Sequence, residues 1–273
     1  MNSRKYLLVI LLAASRLANA QRPADTTALI DEFDKVLSFA VQPYVYYTSV
    51  TSLHSGPMIA GKDSATVLRN NFYKVNDDLY YGNDKQETYL QDSLLVQIDH
   101  QRKTIQLRKV DVATKKRMDI LPLKRGEVQK MLRRQYELVG MPGEGDTGRI
   151  LVRSREGVRT TGVSTEMALQ YSKRSYLPRF LEMSLRTRQP GSEQMEGALR
   201  SQGFDISRMV SEKEGSRSLV ITQTVSIQFG EISLDREKAL NMPSWKDKVN
   251  YDPASNGFSG VGACTGYEMI RTF

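Results

Sequence analysis

The chain has very few of the residue types that build disulfides, metal centres and nucleophilic active sites. Cys264 is the only cysteine among 273 residues, so no disulfide can form within the chain. Small residues surround it, which favours a buried structural thiol. His54 and His100 are the only histidines, and neither belongs to a metal-binding or catalytic motif. We therefore expect no metal site and no cofactor.

Catalytic and phosphate-binding glycine motifs are missing as well. The chain has no Gly-x-Ser-x-Gly turn that would carry a serine nucleophile. The glycine-rich run at 140–146 lacks the Gly-Lys-Ser/Thr ending of a phosphate loop. We expect the protein not to be an enzyme. One alternative stays open, because two carboxylates from distant strands can meet in space without leaving a sequence motif.

Long apolar runs are absent except at the N-terminus. Tyr6–Ala14 is much shorter than the roughly 20 residues of a membrane-spanning helix. Arg4 and Lys5 precede it, and small residues ending at Ala20 follow it, which is typical of a secretory signal peptide. We predict that residues 1–20 are cleaved and that residues 21–273 form one domain without a transmembrane segment or lipid anchor, located in the periplasm or secreted. An uncleaved anchor is the alternative.

Acidic residues are outnumbered, and the formal net charge is +8. Basic side chains concentrate in a predicted basic patch: Lys115, Lys116, Arg117, Lys130, Arg133 and Arg134. Such a patch suits an acidic partner, an anionic lipid or nucleic acid. We expect no nucleic acid, because export and the lack of a binding motif argue against it. A solvated helix face and a contact surface for an outer-membrane or other envelope protein are the two interpretations left.

The chain is rich in short segments of β-forming residues, several of which alternate apolar and polar side chains. Between residues 67 and 110, runs of β-branched, aliphatic and aromatic residues are separated by turn residues, which predicts an antiparallel meander. Val96 and Ile98 point to one face and Gln97 to the other, which indicates a sheet with one apolar face. Later strands are predicted at Arg149–Arg153, Ser164–Tyr171, Leu177–Arg188, 219–229 and 266–273.

Four segments have helical spacing of apolar residues: Thr26–Ala40, Glu127–Leu138, Ser192–Gln202 and Asp235–Leu240. Strands far outnumber these helices, and the connections have hairpin length. The predicted fold class is therefore α+β, with a curved, mostly antiparallel sheet (an incomplete β-barrel) wrapped around a few helices.

The order of these elements resembles the LolA-like periplasmic carriers of outer-membrane lipoproteins, and especially their divergent relatives. The resemblance rests on the first amphipathic helix, on the meander NFYKVNDDLYYGND and DSLLVQIDHQRKTIQL, on the hairpin TEMALQYSKRSYLPRFLEMSL, and on the late strand TQTVSIQFGEI. It covers most of 26–273 and is architectural. It implies an incomplete barrel whose apolar concavity holds acyl chains.

This resemblance implies a protein that binds or carries a lipid, an acylated protein or another apolar ligand. The residues predicted to line the concave face are Val96, Ile98, Leu107, Leu181, Met183, Leu185, Val225, Ile227 and Phe229. The same residues also fit an ordinary filled core. In that case the alternative is a non-enzymatic envelope interaction or scaffold protein that uses the basic patch.

Overall fold

The structure is a computed structural model, and it describes residues 26–56, 66–111, 125–155, 163–213, 216–252, 254 and 257–271. Four α-helices lie in these ranges: α1 (Thr26–Leu37), α2 (Arg125–Gln135), α3 (Glu193–Ser201) and α4 (Arg236–Leu240). None of the helices in this described part has the length and apolar character needed to cross a bilayer.

Strands make up most of the fold. They are β1 (Tyr44–Ser55), β2 (Thr66–Val75), β3 (Asp78–Gly82), β4 (Gln86–Gln91), β5 (Leu94–Asp99), β6 (Thr104–Lys109), β7 (Tyr136–Met141), β8 (Thr147–Ser154), β9 (Val163–Ser172), β10 (Pro178–Pro190), β11 (Val210–Lys213), β12 (Ser216–Ser233), β13 (Val249–Asp252), β14 (Gly257–Gly260) and β15 (Glu268–Arg271). Thirteen of them form one sheet in the order β15-β6-β5-β4-β3-β2-β1-β12-β10-β9-β8-β7, with β11 beside β12. The two remaining strands, β13 and β14, pair with each other.

The sheet is curved, open and almost wholly antiparallel, which confirms the predicted α+β class. Among the described strands, only β15 runs parallel to its neighbour, β6. In the middle of the sheet, the 18-residue strand β12 pairs with β1 on one side and β10 on the other. The first described strand therefore lies in the centre of the sheet rather than at its edge.

Two of the hairpin turns contain Asn or Asp, which accept a left-handed backbone more readily than most residues. Asp92 and Ser93 form the two-residue turn between β4 and β5 with φ of 52° and 59°. Positive φ at both central positions gives the turn whose twist matches that of the two strands. Asn76 has φ of 54° in the preceding β2–β3 turn. The sequence predicts a turn at both places.

One β-bulge breaks the regular pairing of β1 with β12. Tyr46 lies opposite Ser233, but beyond Tyr47 the register shifts and Ser49 lies opposite Phe229. Thr48 thus faces two residues of β12, and its Oγ1 accepts a hydrogen bond of 3.1 Å from the backbone of Glu231. A bulge of this kind moves every following side chain of β12 to the opposite face relative to β1.

Each face of the sheet is covered at a different place. On the first, the helix face, α1 packs over β7–β9, and the core there comprises Leu29, Ile30, Phe33, Val36, Leu132, Leu138, Ile150, Val152, Leu169 and Tyr171. On the second, the outer face, the C-terminal segment (residues 242–269) covers β3–β6. Its core comprises Tyr80, Tyr89, Leu94, Val96, Ile98, Ile105, Leu107, Trp245, Val249 and Cys264.

Two sequence predictions are corrected by the fold. The apolar spacing predicts that Tyr136–Leu138 ends a helix, but the helix ends at Gln135 and β7 begins at Tyr136. At this point the apolar spacing of a helix and that of the first residues of a strand look alike. Pairing with β8 makes the segment a strand. The polarity of 211–218 predicts a loop, but most of this segment pairs in β11 and β12.

Candidate apolar binding site on the helix face

Two rows of side chains cross the helix face at the centre of the sheet. In the first row, Met167 lies opposite Met183, which lies opposite Val225, which lies opposite Leu53. The second row joins, in the same way, Leu169, Leu181, Ile227, Thr51 and Leu68. Directly opposite residues in an antiparallel pair share a face and stand about 5 Å apart. The rows therefore form a continuous, mostly apolar band.

Burial along the first row decreases away from α1. Val152, beside Met167, is 2% exposed, whereas Met183 and Leu53 are each 39% exposed. The less covered part of this face, here called the apolar gap, consists of Leu53, Leu68, Met183, Leu185, Val225 and Ile227. Leu53 and Met183 are exposed, and the other four are half-buried. On one side α1 covers the sheet. On another side the residues around α3 form a separate core cluster with Ile206, Met209 and Leu219.

An aromatic cluster closes the gap toward the start of β1. Tyr47 stacks on Phe72 with ring centroids 4.7 Å apart, and Phe229 meets Tyr47 edge-on at 5.5 Å. Phe39, from the turn after α1, packs edge-on against Phe229 at 6.2 Å. Such edge-to-face pairs add to the burial energy of the rings. Phe229 therefore belongs to a packed wall of the gap rather than to its open surface.

A polar network on the same face limits the gap beside Leu68. Asn70 is 2% exposed, and its amide donates a hydrogen bond of 2.9 Å to Thr51 Oγ1. Its carbonyl oxygen accepts bonds from Tyr81 Oη at 2.8 Å and Asn83 Nδ2 at 3.1 Å. Because Asn70 is well satisfied within the protein, this polar edge is a structural boundary.

The helix α1 is fixed over the sheet by a hydrogen bond as well as by packing. Tyr171 Oη, on β9, donates a hydrogen bond of 2.5 Å to Glu32 Oε2 on α1. Burial of the ring, followed by the neighbouring Glu32 carboxylate, raises the pKa of Tyr171 above its ordinary value. The hydroxyl therefore stays protonated and keeps donating, which holds α1 at the border of the gap.

The nine predicted site residues do not share one face. Leu181, Met183, Leu185, Val225, Ile227 and Phe229 lie on the helix face, in or beside the gap. Val96, Ile98 and Leu107 lie on the outer face, as the register from β1 through β6 shows. These three are at most 1% exposed beneath the C-terminal segment. The prediction of a single concave face is corrected for them.

A titratable cluster lies under the C-terminal segment on the outer face. Tyr89 Oη donates a hydrogen bond of 2.9 Å to Glu87, and His100 Nε2 is 3.7 Å from the same carboxylate. His100 Nδ1 also lies 3.1 Å from Tyr267 Oη. These contacts tie the C-terminal segment to β4 and to the β5–β6 turn. Sequence reasoning missed the cluster because strand pairing brings Glu87 and His100 together and because Tyr267 comes from a distant part of the chain.

Cys264 belongs to this covered region and fits the predicted structural role. It is fully buried, and burial raises the pKa of its thiol. A thiol with a raised pKa is a poor source of the thiolate that nucleophilic and metal-binding cysteines need. No group of three or more metal-binding side chains occurs within the described ranges.

The predicted basic patch is described only in part. Lys130, Arg133 and Arg134 are exposed on α2, with the two arginines in its last turn. Lys115, Lys116 and Arg117 lie outside the described residues. Basic residues at a helix C-terminus are favoured by the helix dipole, so local stability alone accounts for the two arginines.

These features define an α+β protein with an open antiparallel sheet, covered on opposite faces at its two ends. No family model matches the chain, and no curated protein matches it. An uncharacterized conserved protein from Thermus thermophilus is similar at 10% identity and a TM-score of 0.35, over 89% of this chain and 98% of that chain. A DUF1329 family protein from Desulfovibrio piger is similar at 11% identity and a TM-score of 0.32, over 87% and 100%. Similarities this weak carry no argument about function.

Proposed function

We propose that this protein is an exported, non-catalytic binding protein that holds an acyl chain of a lipid or acylated protein, or another apolar ligand, in the apolar gap. The observation that carries the proposal is the uncovered band around Met183, Val225 and Leu53 in the middle of an otherwise packed sheet face. The resemblance to the LolA-like lipoprotein carriers likewise implies an incomplete antiparallel barrel, closed by helices, whose apolar concavity holds acyl chains.

The chemistry of the gap suits a flexible hydrocarbon. Its side chains are aliphatic or thioether groups, and Met183 can change rotamer to follow an irregular ligand surface. Burying each methylene group contributes about 0.8 kcal/mol, so six of them contribute about 5 kcal/mol before the costs of binding. The costs of association, about 4 kcal/mol or more, offset most of this contribution, so we expect weak binding, which suits a carrier that must release its cargo.

The first test is a titration of the mature chain, residues 21–273, with a fluorescent fatty-acid probe. We expect saturable binding, and native mass spectrometry of protein purified from its cell envelope should show a co-purifying acyl species. Replacement of Met183 by Glu should weaken probe binding at least about tenfold, because a carboxylate covered by the ligand must be desolvated or neutralised.

Val67→Glu is the matched control. Val67 is 54% exposed and lies on the outer face, opposite the gap, so the same charge is introduced into the same sheet without touching the site. Equal weakening by both substitutions, or no saturable binding by the unaltered protein, would contradict the proposal.

A second candidate function is recognition of an acidic envelope partner by the basic patch. The supporting observation is that Lys130, Arg133 and Arg134 are all exposed on one short helix. Reversing these three charges to Glu should abolish capture of such a partner while the protein stays folded, with a small loss of thermal stability because Glu at the end of α2 opposes the helix dipole. Lys173→Glu, an exposed site on the β9–β10 turn, serves as the control. Unchanged capture by the triple variant removes the patch from consideration.

A further inference from the structure

A small cavity on the outer face is lined by basic and hydroxyl side chains. It has a volume of about 180 Å³ and lies over β8, β9 and β10. Its lining consists of Arg153, Ser164, Thr165, Glu166, Ser184 and Arg186. The apolar gap occupies the other face of the same sheet, so the sheet itself separates the two sites. This cavity is here called the arginine cavity.

The two arginines converge because of the strand register. Arg153 lies opposite Glu166, and Glu166 lies opposite Ser184 on the next strand. Arg186 lies opposite Ser164, one pair further along the same face. Alternation along β8 and β10 therefore brings a guanidinium from each side of β9 toward the same hydroxyl-bearing stretch.

One hydrogen-bond donor of Arg153 lacks a partner. Its Nε is buried, and no acceptor in the described part of the chain reaches it. Leaving a buried donor of a charged group unpaired costs more than about 1 kcal/mol. Arg186 reaches the cavity from its exposed rim. Arg179 shows the contrast, since it bonds to Asp146 at 2.9 Å.

We propose that the arginine cavity binds a phosphate group through the guanidiniums of Arg153 and Arg186. A guanidinium presents its N–H groups in a planar fork that matches two oxygens of a phosphate. Ser164 can add a hydroxyl donor, whereas Ser184 already shares a hydrogen bond of 3.0 Å with Thr224. This site is independent of the proposed apolar ligand.

The size and charge of the arginine cavity further restrict the class of ligand that it can bind. Pockets for drug-sized ligands measure about 300–1,000 Å³, so a cavity of 180 Å³ fits a single anionic group rather than a whole nucleotide. Glu166 also lines the cavity and repels an anion, which leaves one net positive charge from the three ionisable groups. The phosphate can come from inorganic phosphate or from a lipid headgroup that reaches the outer face.

The test measures binding of two probes to the mature chain. Inorganic phosphate is titrated by calorimetry, and vesicles containing phosphatidic acid are compared with vesicles of phosphatidylcholine alone by co-sedimentation. Arg153→Gln and Arg186→Gln should each weaken the binding at least about tenfold, because each removes a charged donor of the phosphate. Glu166→Gln should strengthen it. Saturable phosphate binding identifies the free anion, and binding to phosphatidic acid alone identifies the headgroup.

Matched controls lie on the same strands and face. Arg149→Gln on β8 and Arg188→Gln on β10 remove the same charge outside the cavity, and both residues are exposed. They should leave binding within about twofold of the unaltered protein, as expected for exposed charges in water. The proposal is overturned if neither probe binds, if the controls weaken binding as much as the cavity variants, or if Glu166→Gln weakens it. Arg186→Gln keeps the test usable if Arg153→Gln fails to fold.

Discussion

Two regions of one sheet show how the same strand pattern produces either a closed core or an open apolar surface. Over β3–β6, the outer face is sealed by the C-terminal segment, and Val96, Leu107 and Tyr89 are all 0% exposed. Over β10, β12 and β1, the helix face carries equally apolar rows, yet Met183 and Leu53 are each 39% exposed. Both regions alternate apolar and polar residues along their strands.

The difference lies in the element that covers each face. Trp245 is 4% exposed and packs with Tyr251, at a centroid distance of 6.3 Å, over the strands beneath it. On the helix face α1 ends at Leu37, and the turn after it packs Phe39 against Phe229 rather than over Met183. Alternation thus predicts which residues of a strand share a face, whereas the packing of other elements determines whether that face is covered.

The largest contrast is expected from truncating one residue in each region. Leu107→Ala in the closed region should lower the free energy of unfolding by about 3 kcal/mol, because it leaves a cavity in a sealed core. Met183→Ala in the gap should cost about 1 kcal/mol or less, since water already reaches that side chain. Chemical denaturation of both variants measures the difference. Equal losses would mean that the gap is covered in solution.

The next largest effect on stability is expected at the β-bulge between β1 and β12. A Cβ at Gly230 would stand 2.5 Å from Thr48 Oγ1, so Gly230→Ala should lower the free energy of unfolding by about 1–2 kcal/mol. Adding Thr48→Ala removes that contact and should restore part of the loss. A double-mutant cycle by denaturation measures the coupling. Strict additivity of the two substitutions would show that they do not meet.

A smaller effect is expected at the border of the gap. Tyr171→Phe removes the hydrogen bond to Glu32 that holds α1 over β9 and should cost about 1 kcal/mol. Because a loosened α1 exposes more of the apolar band, binding of the fatty-acid probe should stay the same or increase. Unfolding by denaturant and the probe titration are the two measurements. A large loss of probe binding would mean that α1 is itself part of the ligand contact.

The smallest effect is a pH dependence shared by turns in both regions. The backbone amide of Arg102 lowers the pKa of Asp99 in the closed region, and the Ser172 hydroxyl lowers the pKa of Asp146 in the β7–β8 turn, which is joined to β10 by the ion pair with Arg179. A lowered pKa in the folded state stabilises the protein above the unfolded pKa of about 4, and that stability is lost as the pH falls through the folded value. Thermal midpoints should therefore drop below about pH 4.

Asp99→Asn and Asp146→Asn should each flatten this pH dependence by a similar amount. Similar effects would show that turn chemistry is alike in the two regions and that covering alone separates them. A steeper dependence in either variant than in the unaltered protein would contradict the assignment of these carboxylates.

Much of the fold can be predicted from local patterns. The turns around Asn76 and Asp92 follow from residues that tolerate a left-handed backbone, whereas the turn at Lys103 and the hairpin of β9 with β10 follow from the period-two alternation on either side of them. Apolar spacing predicts the first helix, and the apolar side of that helix does pack on a sheet. Alternation also predicts that Val96 and Ile98 share one face of β5 and that Met183 and Leu185 share one face of β10.

Alternation within a strand does not show whether Val96 and Ile98 lie on the same face of the sheet as Met183 and Leu185. Their relative side depends on the sum of the registers across β5, β4, β3, β2, β1, β12 and β10, and a shift of one residue anywhere reverses it. The bulge at Thr48 is that shift, and it places Val96 and Met183 on opposite faces. No periodicity in either strand signals it, because it arises from pairing between segments about 180 residues apart.

Local sequence and composition are enough to predict most of the strands, the main turns, the amphipathic α1 and the absence of an internal disulfide, because each of these depends on neighbouring residues or on residue counts. Long-range packing alone settles which apolar rows are sealed under Trp245 and which stay open around Met183. It also brings Arg153 and Arg186 to one cavity. These outcomes depend on strand register, which is set jointly by residues that lie far apart in the chain.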